Sequence, residues 1–532
     1  MGVFDWLLKG ACIIDGSGSA AYNADVGITG GKISAIAPDL GCGAVHVRSV
    51  DGLIVAPGFI DIHRHGDAAV FRPGFGEMEL RQGITTIVNG NCGMSIAPIP
   101  YAMRDEILRY LSPVIGSLPE NIAFESYSDY ITLLKQTPLP LNVGMLAGSG
   151  TMRAAACGYQ DRQLNSQALH VLRDSLDDAL SAGTLGISVG FSYMPDIYYT
   201  AEQLEQALAP IRNTGPPLVC HVRGEGGLLY DSVREAIQLA KLLRAPLEIS
   251  HFKCIGRRNW GALLGKTIDL IEHARLDGME IHCDVYPWTA GSTLMTCLLP
   301  PAFLQGGVAE TTERLRDSRQ RALCREVMSR PGEDFENIVE SMGWESIYVS
   351  GLKSERNLWC IGKSIPEIAD ARGVDPYEAA FGLMAEEGCD VTMVDYITCT
   401  DDIETILRLP YSIVTSDTVY PDKGRPHPRG YGNTAMLLTE YVQKRKTLTL
   451  EQAVHKMTGL PARIVSLPRK GLLRPGYDAD IVVFGRDSIT CNADYQNPER
   501  FTTGFELVMV GGAIAVERDT RTNSCQGRCV LR

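Results

Sequence analysis

Eight apolar, strand-like runs separated by helical stretches constrain the fold of this chain more than any other feature. The runs span 54–62, 85–88, 141–146, 183–189, 217–222, 247–250, 279–285 and 413–416. Helical patterns lie between many of them, including 164–181, 201–214, 228–243 and 267–276. Buried strands that alternate with helices form parallel sheets, and eight such units make a (β/α)8 barrel. The pattern therefore predicts an α/β fold built on a TIM-like barrel.

Both ends of the chain carry short β-strands instead of barrel units. Residues 24–37 alternate around Gly30-Gly31, and 505–516 do the same around Gly511-Gly512, as β-hairpins do. We therefore predict one small β-sandwich formed by both termini. The predicted domains are residues 1–55 and 466–532 for the sandwich and 56–465 for the barrel.

The seventh apolar run ends at 285 and the eighth begins at 413, and this separation is too long for a plain loop. We expect an insertion plus helices there, including a lid-like segment at about 299–350. Because it follows a barrel strand, it lies on the side where barrel active sites form.

Composition narrows the function classes. The 50 Lys and Arg against 63 Asp and Glu give a net charge of −13, which argues against nucleic-acid binding. There is no apolar stretch of roughly 18 residues, so no membrane association is expected. The start of the chain lacks the basic region of a signal peptide, which predicts a cytoplasmic protein. The 15 cysteines form no Cys-x-x-Cys pair, so most of them are expected to be reduced and buried.

Polar residues that suit a metal follow five of the apolar runs. His63 and His65 stand two apart, so both imidazoles face one way if the strand continues. The other residues at strand ends are Cys92, His221, His251 and Asp417. Taken alone, each of these residues is explained at least as readily by an ordinary structural role as by metal binding. These roles are a structural histidine, a buried thiol or a cap. Their joint position at the carboxyl ends of barrel strands predicts a divalent metal site.

These residues and their surroundings resemble the amidohydrolase superfamily, and in detail its D-aminoacylase (N-acyl-D-amino-acid deacylase) branch. The matching stretches run in family order over nearly the whole chain. They are APGFIDIHRHGD (56–67), GITTIVNGNCG (83–93), HVRGEG (221–226), ISHFK (249–253), DVYPWTAGST (284–293), SD (416–417), HPRGYG (427–432), TGLPAR (458–463) and GLLRPGYDADIVVF (471–484).

The resemblance implies a metal role for five residues. Cys92, His221 and His251 would hold one tightly bound Zn²⁺. His63 and His65 would form a second position beside it, often weak or empty. Residues 183–190 read GTLGISVG and contain no lysine. The carboxylated lysine that bridges two metals in many amidohydrolases is therefore missing, which weakens a hydantoinase or dihydroorotase interpretation.

The resemblance also implies the catalytic and substrate-binding residues. Asp417 would take the proton from the metal-bound water, and His63 is counted with it as catalytic. The substrate is a small molecule with an α-carboxylate. Its predicted contacts are Lys253, Tyr286 and Ser292, with Arg429 near the site.

We therefore expect zinc-dependent hydrolysis of N-acyl-D-amino acids to a carboxylate and a free D-amino acid. Deacylases of the branch that this chain resembles carry a basic residue after the Ser-Thr pair when they act on acidic D-amino acids. Segment 294–301 (LMTCLLPP) lacks Lys and Arg, so the resemblance implies a neutral or apolar substrate side chain. The alternatives are a D-dipeptidase or cyclic-amide hydrolase on the same scaffold, or a non-catalytic scaffold protein. The sequence leaves the oligomeric state, the acyl group and the number of metals open.

Overall fold

A computed structural model of the chain describes residues 4–41, 43–161, 163–332 and 335–532. Cys42 and part of the predicted lid-like segment, at 333–334, lie outside the described residues. The strands of the N-terminal part are β1 Phe4–Ile13, β2 Tyr22–Thr29, β3 Lys32–Ala37, β4 Ala44–Ser49 and β5 Ile54–Pro57. The central parallel strands are β6 Phe59–Asp61, β7 Ile84–Asn89, β8 Asn142–Met145, β9 Ala147–Gly148, β10 Ile187–Gly190, β11 Leu218–His221, β12 Leu247–Ile249 and β13 Ile281–Val285.

The remaining strands are β14 Ala290–Leu294, β15 Ile347–Leu352, β16 Val391–Tyr396, β17 Ser412–Val414, β18 Ile481–Phe484, β19 Phe505–Val510, β20 Ala513–Glu517 and β21 Thr520–Arg521. The first α-helices are α1 Glu77–Leu80, α2 Arg104–Ile115, α3 Tyr127–Gln136, α4 Ser149–Cys157, α5 Ser166–Ala182, α6 Ala201–Ala207, α7 Leu229–Leu243 and α8 Ala262–Leu276. They are followed by α9 Gly307–Arg316, α10 Ser318–Met328, α11 Ile338–Met342, α12 Ile365–Arg372, α13 Pro376–Glu386, α14 Thr400–Arg408, α15 Arg429–Met436, α16 Leu450–Met457 and α17 Gly459–Ile464.

The central strands pair in parallel in the order expected of a barrel wall. One sheet runs β17-β13-β12-β11-β10-β9 and a second runs β6-β7-β8. Backbone contacts join them at both edges. The amide of Leu185, just before β10, donates to Met145 O of β8, and residues Arg64 and Thr418 form a parallel bridge between the ends of β6 and β17. All the carboxyl ends of these strands therefore meet on one side of the molecule.

The predicted run 54–62 is divided between two sheets. Strand β5 belongs to the terminal sheet and β6 to the parallel strands. The division falls at Pro57-Gly58, because Pro57 has no amide hydrogen for a ladder. A Cβ on Gly58 would lie 2.1 Å from Thr85 Oγ1, so only glycine fits this crossing.

The predicted helix 201–214 ends early for a similar reason. Helix α6 stops at Ala207, and a short 3₁₀ turn, Ala209–Ile211, follows it. Pro210 lies in that turn and cannot donate the backbone hydrogen bond that a continuing α-helix requires. Thr200 begins the helix well, because its hydroxyl and the Gln203 side chain form a reciprocal capping box.

Both termini contribute to one nine-stranded sheet. Strand β5 lies between β1 and β18, so the N-terminal and C-terminal parts pair directly. Leu8, Val26 and Ile33 from one end share a buried cluster with Ile481 and Met509 from the other. The two halves of the sheet thus enclose a common core, while the domain boundaries stated above remain a prediction.

The insertion contains strands that the sequence pattern did not predict. Strands β14, β16 and β15 form a three-stranded antiparallel sheet, and helices α9–α13 lie between these strands along the chain. The predicted insertion plus helices is therefore present, and it also contains this sheet. Within the described ranges, the helices are too short or too polar to cross a bilayer.

Candidate metal centre and active site

The five strand-end features converge at the carboxyl ends of the parallel strands. Three groups each bring their possible ligand atoms within 4.8 Å of one another. Cys92 Sγ lies 3.3 Å from His63 Nε2 and 3.7 Å from His251 Nε2. All members are buried. The groups are His63, His65 and Cys92; Cys92, His221 and His251; and His63, His251 and Asp417.

Three of these residues adopt left-handed backbone conformations. The φ angles of Cys92, His251 and Asp417 are +54°, +35° and +50°. A non-glycine residue in this region costs on the order of 1–3 kcal/mol and persists only where its surroundings fix it. The amide of Asp417 donates to His63 O at 2.9 Å, and the amide of His251 donates to Asp284 Oδ1 at 2.8 Å. These contacts hold the turns that follow the strands.

Two carboxylates behind the histidines fix the orientation of the imidazole rings. Asp284 Oδ2 lies 2.9 Å from His63 Nδ1, and its Oδ1 also accepts from the Thr415 hydroxyl at 2.7 Å. Glu225 Oε1 lies 2.9 Å from His251 Nδ1, which leaves Nε2 of that ring facing Cys92. Carboxylate partners of this kind orient metal-ligating histidines. Neither residue is among the predicted functional residues, although Glu225 lies inside the HVRGEG motif and Asp284 inside the DVYPWTAGST motif.

The charge state of the cluster suits a divalent cation. Burial opposes ionisation of the Cys92 thiol, but His63, His221 and His251 together lower its pKa well below the ordinary value. Burial and the neighbouring His251 lower the pKa of His221. A thiolate and a neutral imidazole are the forms that bind Zn²⁺. Within the described part of the chain, His221 Nδ1 is buried without a hydrogen-bond partner, so this donor atom is available to a metal.

Asp417 is placed to handle protons beside this cluster. Its Oδ1 lies 3.4 Å from His63 Nε2 and 3.3 Å from His65 Nε2, and its Oδ2 lies 3.0 Å from Arg429 Nη1. Burial would raise the pKa of Asp417, but Arg429, His63 and His65 hold it well below its usual range. The carboxylate is therefore ionised and can accept a proton.

The other predicted residues line or support one cavity of about 740 Å³, including its open mouth. Lys253, Tyr286 and Ser292 line it together with Asp417. Lys253 Nζ already contacts Glu225 Oε1 at 2.5 Å. Arg429 is buried, contacts Asp417, and donates from Nη2 to Ser292 O at 3.1 Å. The structure thus brings all the predicted site residues to one place, with Arg429 beside Asp417.

Comparison with known proteins places this site in a family. A family model described as "Amidohydrolase family" matches residues 335–516. The D-aminoacylase of Alcaligenes xylosoxydans xylosoxydans is 31% identical over 99% of this chain and 98% of that protein. The chain belongs to the D-aminoacylase family of amidohydrolases. The N-acyl-D-aspartate deacylase of the same organism is 30% identical over 96% of this chain and 91% of that protein.

Solved structures of D-aminoacylase family members share the fold over the whole chain. The N-acyl-D-glutamate deacylase of Bordetella bronchiseptica was solved with zinc and a phosphonate that mimics the tetrahedral intermediate. It has a TM-score of 0.84 at 28% identity and covers 100% of both chains. A second solved structure is that of a D-aminoacylase with a binuclear metal centre, in which one metal activates and the second attenuates. Its TM-score is 0.83. The predicted fold class and family resemblance are therefore confirmed.

Proposed function

We propose that this protein is a zinc-dependent N-acyl-D-amino-acid deacylase. The observation that carries the proposal is the convergence of a thiolate, imidazoles and an ionised aspartate at the base of a cavity with a lysine in its wall. The relatives named above act on N-acyl-D-aspartate and N-acyl-D-glutamate, or are D-aminoacylases, which supports the same reaction here.

Cys92, His221 and His251 would hold the tightly bound zinc, and His63 with His65 would form a second position. When bound, zinc lowers the pKa of water and polarises the amide carbonyl. Cys92 fits this role through its depressed pKa, and His251 through the hydrogen bond that fixes its Nδ1. The binuclear centre of the related D-aminoacylase supports two positions of unequal importance.

Asp417 would be both general base and general acid. Its ionised Oδ1 accepts a proton from the attacking water, and the same oxygen then returns it to the departing amine nitrogen. His63 orients this carboxylate from one side, and Asp284 in turn holds His63. Arg429 holds Oδ2 from the other side, so the carboxylate keeps one orientation while Oδ1 moves the proton.

The α-carboxylate of the substrate would bind at Lys253, Tyr286 and Ser292. A lysine supplies a point charge, and the two hydroxyls supply directed hydrogen bonds. All three side chains are at least nine-tenths buried, so water screens the charge of Lys253 little. Glu225 shares that charge, and Lys253 therefore binds the substrate while it also fixes Glu225.

We infer a neutral or apolar side chain for the preferred D-amino acid. Apolar cavity walls support this inference, as does the absence of Lys and Arg from segment 294–301. These walls include Ile197, Ile255, Cys297, Leu299 and Ile397. A panel of N-acetyl-D-amino acids tests it. Faster hydrolysis of N-acetyl-D-methionine than of N-acetyl-D-glutamate is expected, and the reverse order would overturn it.

The test of the function itself is metal-dependent turnover. Protein purified without chelator should contain zinc and release acetate from N-acetyl-D-methionine, and removal of the metal should abolish the release. Re-addition of Zn²⁺ should restore it. Turnover that survives complete metal removal would contradict the zinc-dependent mechanism. Protein that contains no zinc and shows no turnover would favour the non-catalytic scaffold instead.

The thiolate of Cys92 also indicates the redox state of the cellular compartment in which the protein works. We infer a reducing environment such as the cytoplasm, because oxidation of Cys92 would remove a metal ligand. The 14 cysteines that the structure describes are all free thiols, which supports this inference.

A further inference from the structure

An aspartate of the insertion lies in the cavity wall and has no assigned role. Asp395 belongs to β16, where it pairs with Gly291 of β14 and Ile347 of β15. It is 2% exposed and lines the same cavity as Lys253 and Asp417. Its Oδ1 is buried and has no hydrogen-bond partner among the described residues.

The neighbouring glycine leaves room for this carboxylate. A Cβ on Gly291 would lie 2.8 Å from Asp395 Oδ1 and 3.4 Å from the Tyr286 hydroxyl. Both groups therefore face the space beside Gly291. A larger residue at position 291 would fill that space and displace the Asp395 side chain.

The other charged groups of the cavity have nearer partners. Glu225 pairs with Lys253 at 2.5 Å, and Asp417 pairs with Arg429 at 3.0 Å. The remaining lining charges are satisfied as well: Arg223 Nη2 binds Glu235 at 2.9 Å, and Glu336 accepts from the Gly226 amide at 2.8 Å. Lys253 and Arg429 attract Asp395 only at longer range. Asp395 thus adds an uncompensated negative charge to the cavity.

A buried carboxylate oxygen without a partner is costly, so its presence in a substrate cavity points to a ligand that supplies the partner. Burial raises the pKa of Asp395 to about 6, and the charges of Lys253 and Arg429 oppose this rise. The group is therefore mostly ionised at neutral pH. An anionic acceptor in a low-dielectric site favours a cationic donor.

We propose that Asp395 binds an ammonium group of the substrate. This inference rests on the deacylase function proposed above. The ammonium could belong to the side chain of the D-amino acid, which would replace the neutral side chain inferred there. It could instead be the free amino terminus of an aminoacyl group, which would make the substrate a dipeptide and leave the side-chain inference intact.

Two matched substrate pairs separate these sources. The side-chain pair is N-acetyl-D-lysine against N-acetyl-D-norleucine. The acyl pair is glycyl-D-norleucine against propionyl-D-norleucine. In each pair the members have similar length, and only one carries an ammonium. The kcat/KM ratio of the zinc-loaded enzyme should favour the ammonium member by about 10-fold or more in one pair, as a desolvated charged hydrogen bond predicts.

Asp395→Asn should abolish this ratio and leave turnover of N-acetyl-D-norleucine measurable. Asp395→Thr, whose β-branched side chain suits a strand, serves if the asparagine variant does not fold. Asp402→Asn is the matched control. Asp402 is also 2% exposed, and among the described residues its Oδ2 is likewise buried without a hydrogen-bond partner. Its Oδ1, however, accepts from the Gly261 amide at 2.9 Å, and Asp402 does not line the cavity. This control should keep the wild-type ratio.

A wild-type ratio near one in both pairs, or an unchanged ratio in both Asp395 variants, would overturn the role of Asp395. Failure of the deacylase function is distinguishable, because it would appear as no hydrolysis of N-acetyl-D-norleucine by the wild type. Calorimetric binding of the same pairs gives the ratio without turnover, so it tests Asp395 even in that case.

Discussion

Both carboxylate oxygens of Asp417 have partners, which are His63 and His65 at Oδ1 and Arg429 at Oδ2. An asparagine at this position would therefore keep the same place. Asparagine keeps the shape but cannot take a proton, so Asp417→Asn should lower kcat by about 10²–10⁴-fold. Zinc content should stay near that of the wild type, because Cys92, His221 and His251 remain. Kinetics with metal analysis on the same sample checks this, and a near-wild-type rate would remove Asp417 as the proton carrier.

Cys92 differs from the other buried cysteines because three imidazoles surround it. Cys92→Ala should lose zinc occupancy, since the thiolate is the one anionic ligand in the predicted tight site. Cys324→Ala is the control, because Cys324 is also buried but lies in α10, outside the candidate metal groups. The zinc content of the two variants, measured after dialysis, tests this prediction. Equal zinc in both variants would make Cys92 a structural thiol.

At the residue scale, the sequence predicted the site residues that lie at the ends of strands. It did not predict the carboxylates that contact those residues or line the cavity beside them. His221 and His251 follow apolar runs, so the parallel arrangement alone brings them together. Asp284 also lies near the end of an apolar run but was not predicted as a site residue, whereas Glu225 and Asp395 carry no such local signal. Their positions depend on which loops and strands pack around the site, and only the tertiary structure shows it.

At the element scale, strand β10 packs tightly against the turn after β7 that carries Cys92. A Cβ on Gly190 would lie 2.0 Å from Cys92 O, so Gly190→Ala must push the turn that carries Cys92. We expect a loss of stability of about 1–3 kcal/mol and a lower zinc content. Thermal unfolding and metal analysis test both.

Gly265→Ala provides the contrast within α8. Nothing lies within 4 Å of a Cβ there, so alanine should stabilise the helix by up to about 1 kcal/mol. If Gly190→Ala bound zinc as the wild type does, the close contact with Cys92 would not position the ligand.

The elements that the sequence mispredicted share a physical reason. The pattern of apolar residues shows that a segment is buried but not which sheet buries it. Run 54–62 therefore predicts one strand, although β5 and β6 pair in different sheets. The strands β15 and β16 lie between helices in a long insertion. Strand β16 pairs antiparallel with both β14 and β15, which are distant from it in sequence, and the local pattern gives no sign of this pairing.

At the scale of the whole molecule, the chain ends and the insertion serve the site differently. The terminal strands form a sheet with its own core and contribute none of the predicted ligands. The insertion contributes the cavity-lining residues Ser292 and Asp395 through β14 and β16. Differences of substrate preference within the family should therefore follow the insertion more than the terminal sheet.

Hydrolysis of N-acyl-D-amino acids by zinc and these residues is the claim on which the other predictions depend. The most direct measurement is kcat/KM of the zinc-loaded enzyme for N-acetyl-D-methionine and for its L-enantiomer, with metal-depleted protein alongside. We expect the D-form to be favoured by about 10²-fold or more, and no turnover without metal. A preference for the L-form, or hydrolysis of cyclic amides alone, would contradict the account.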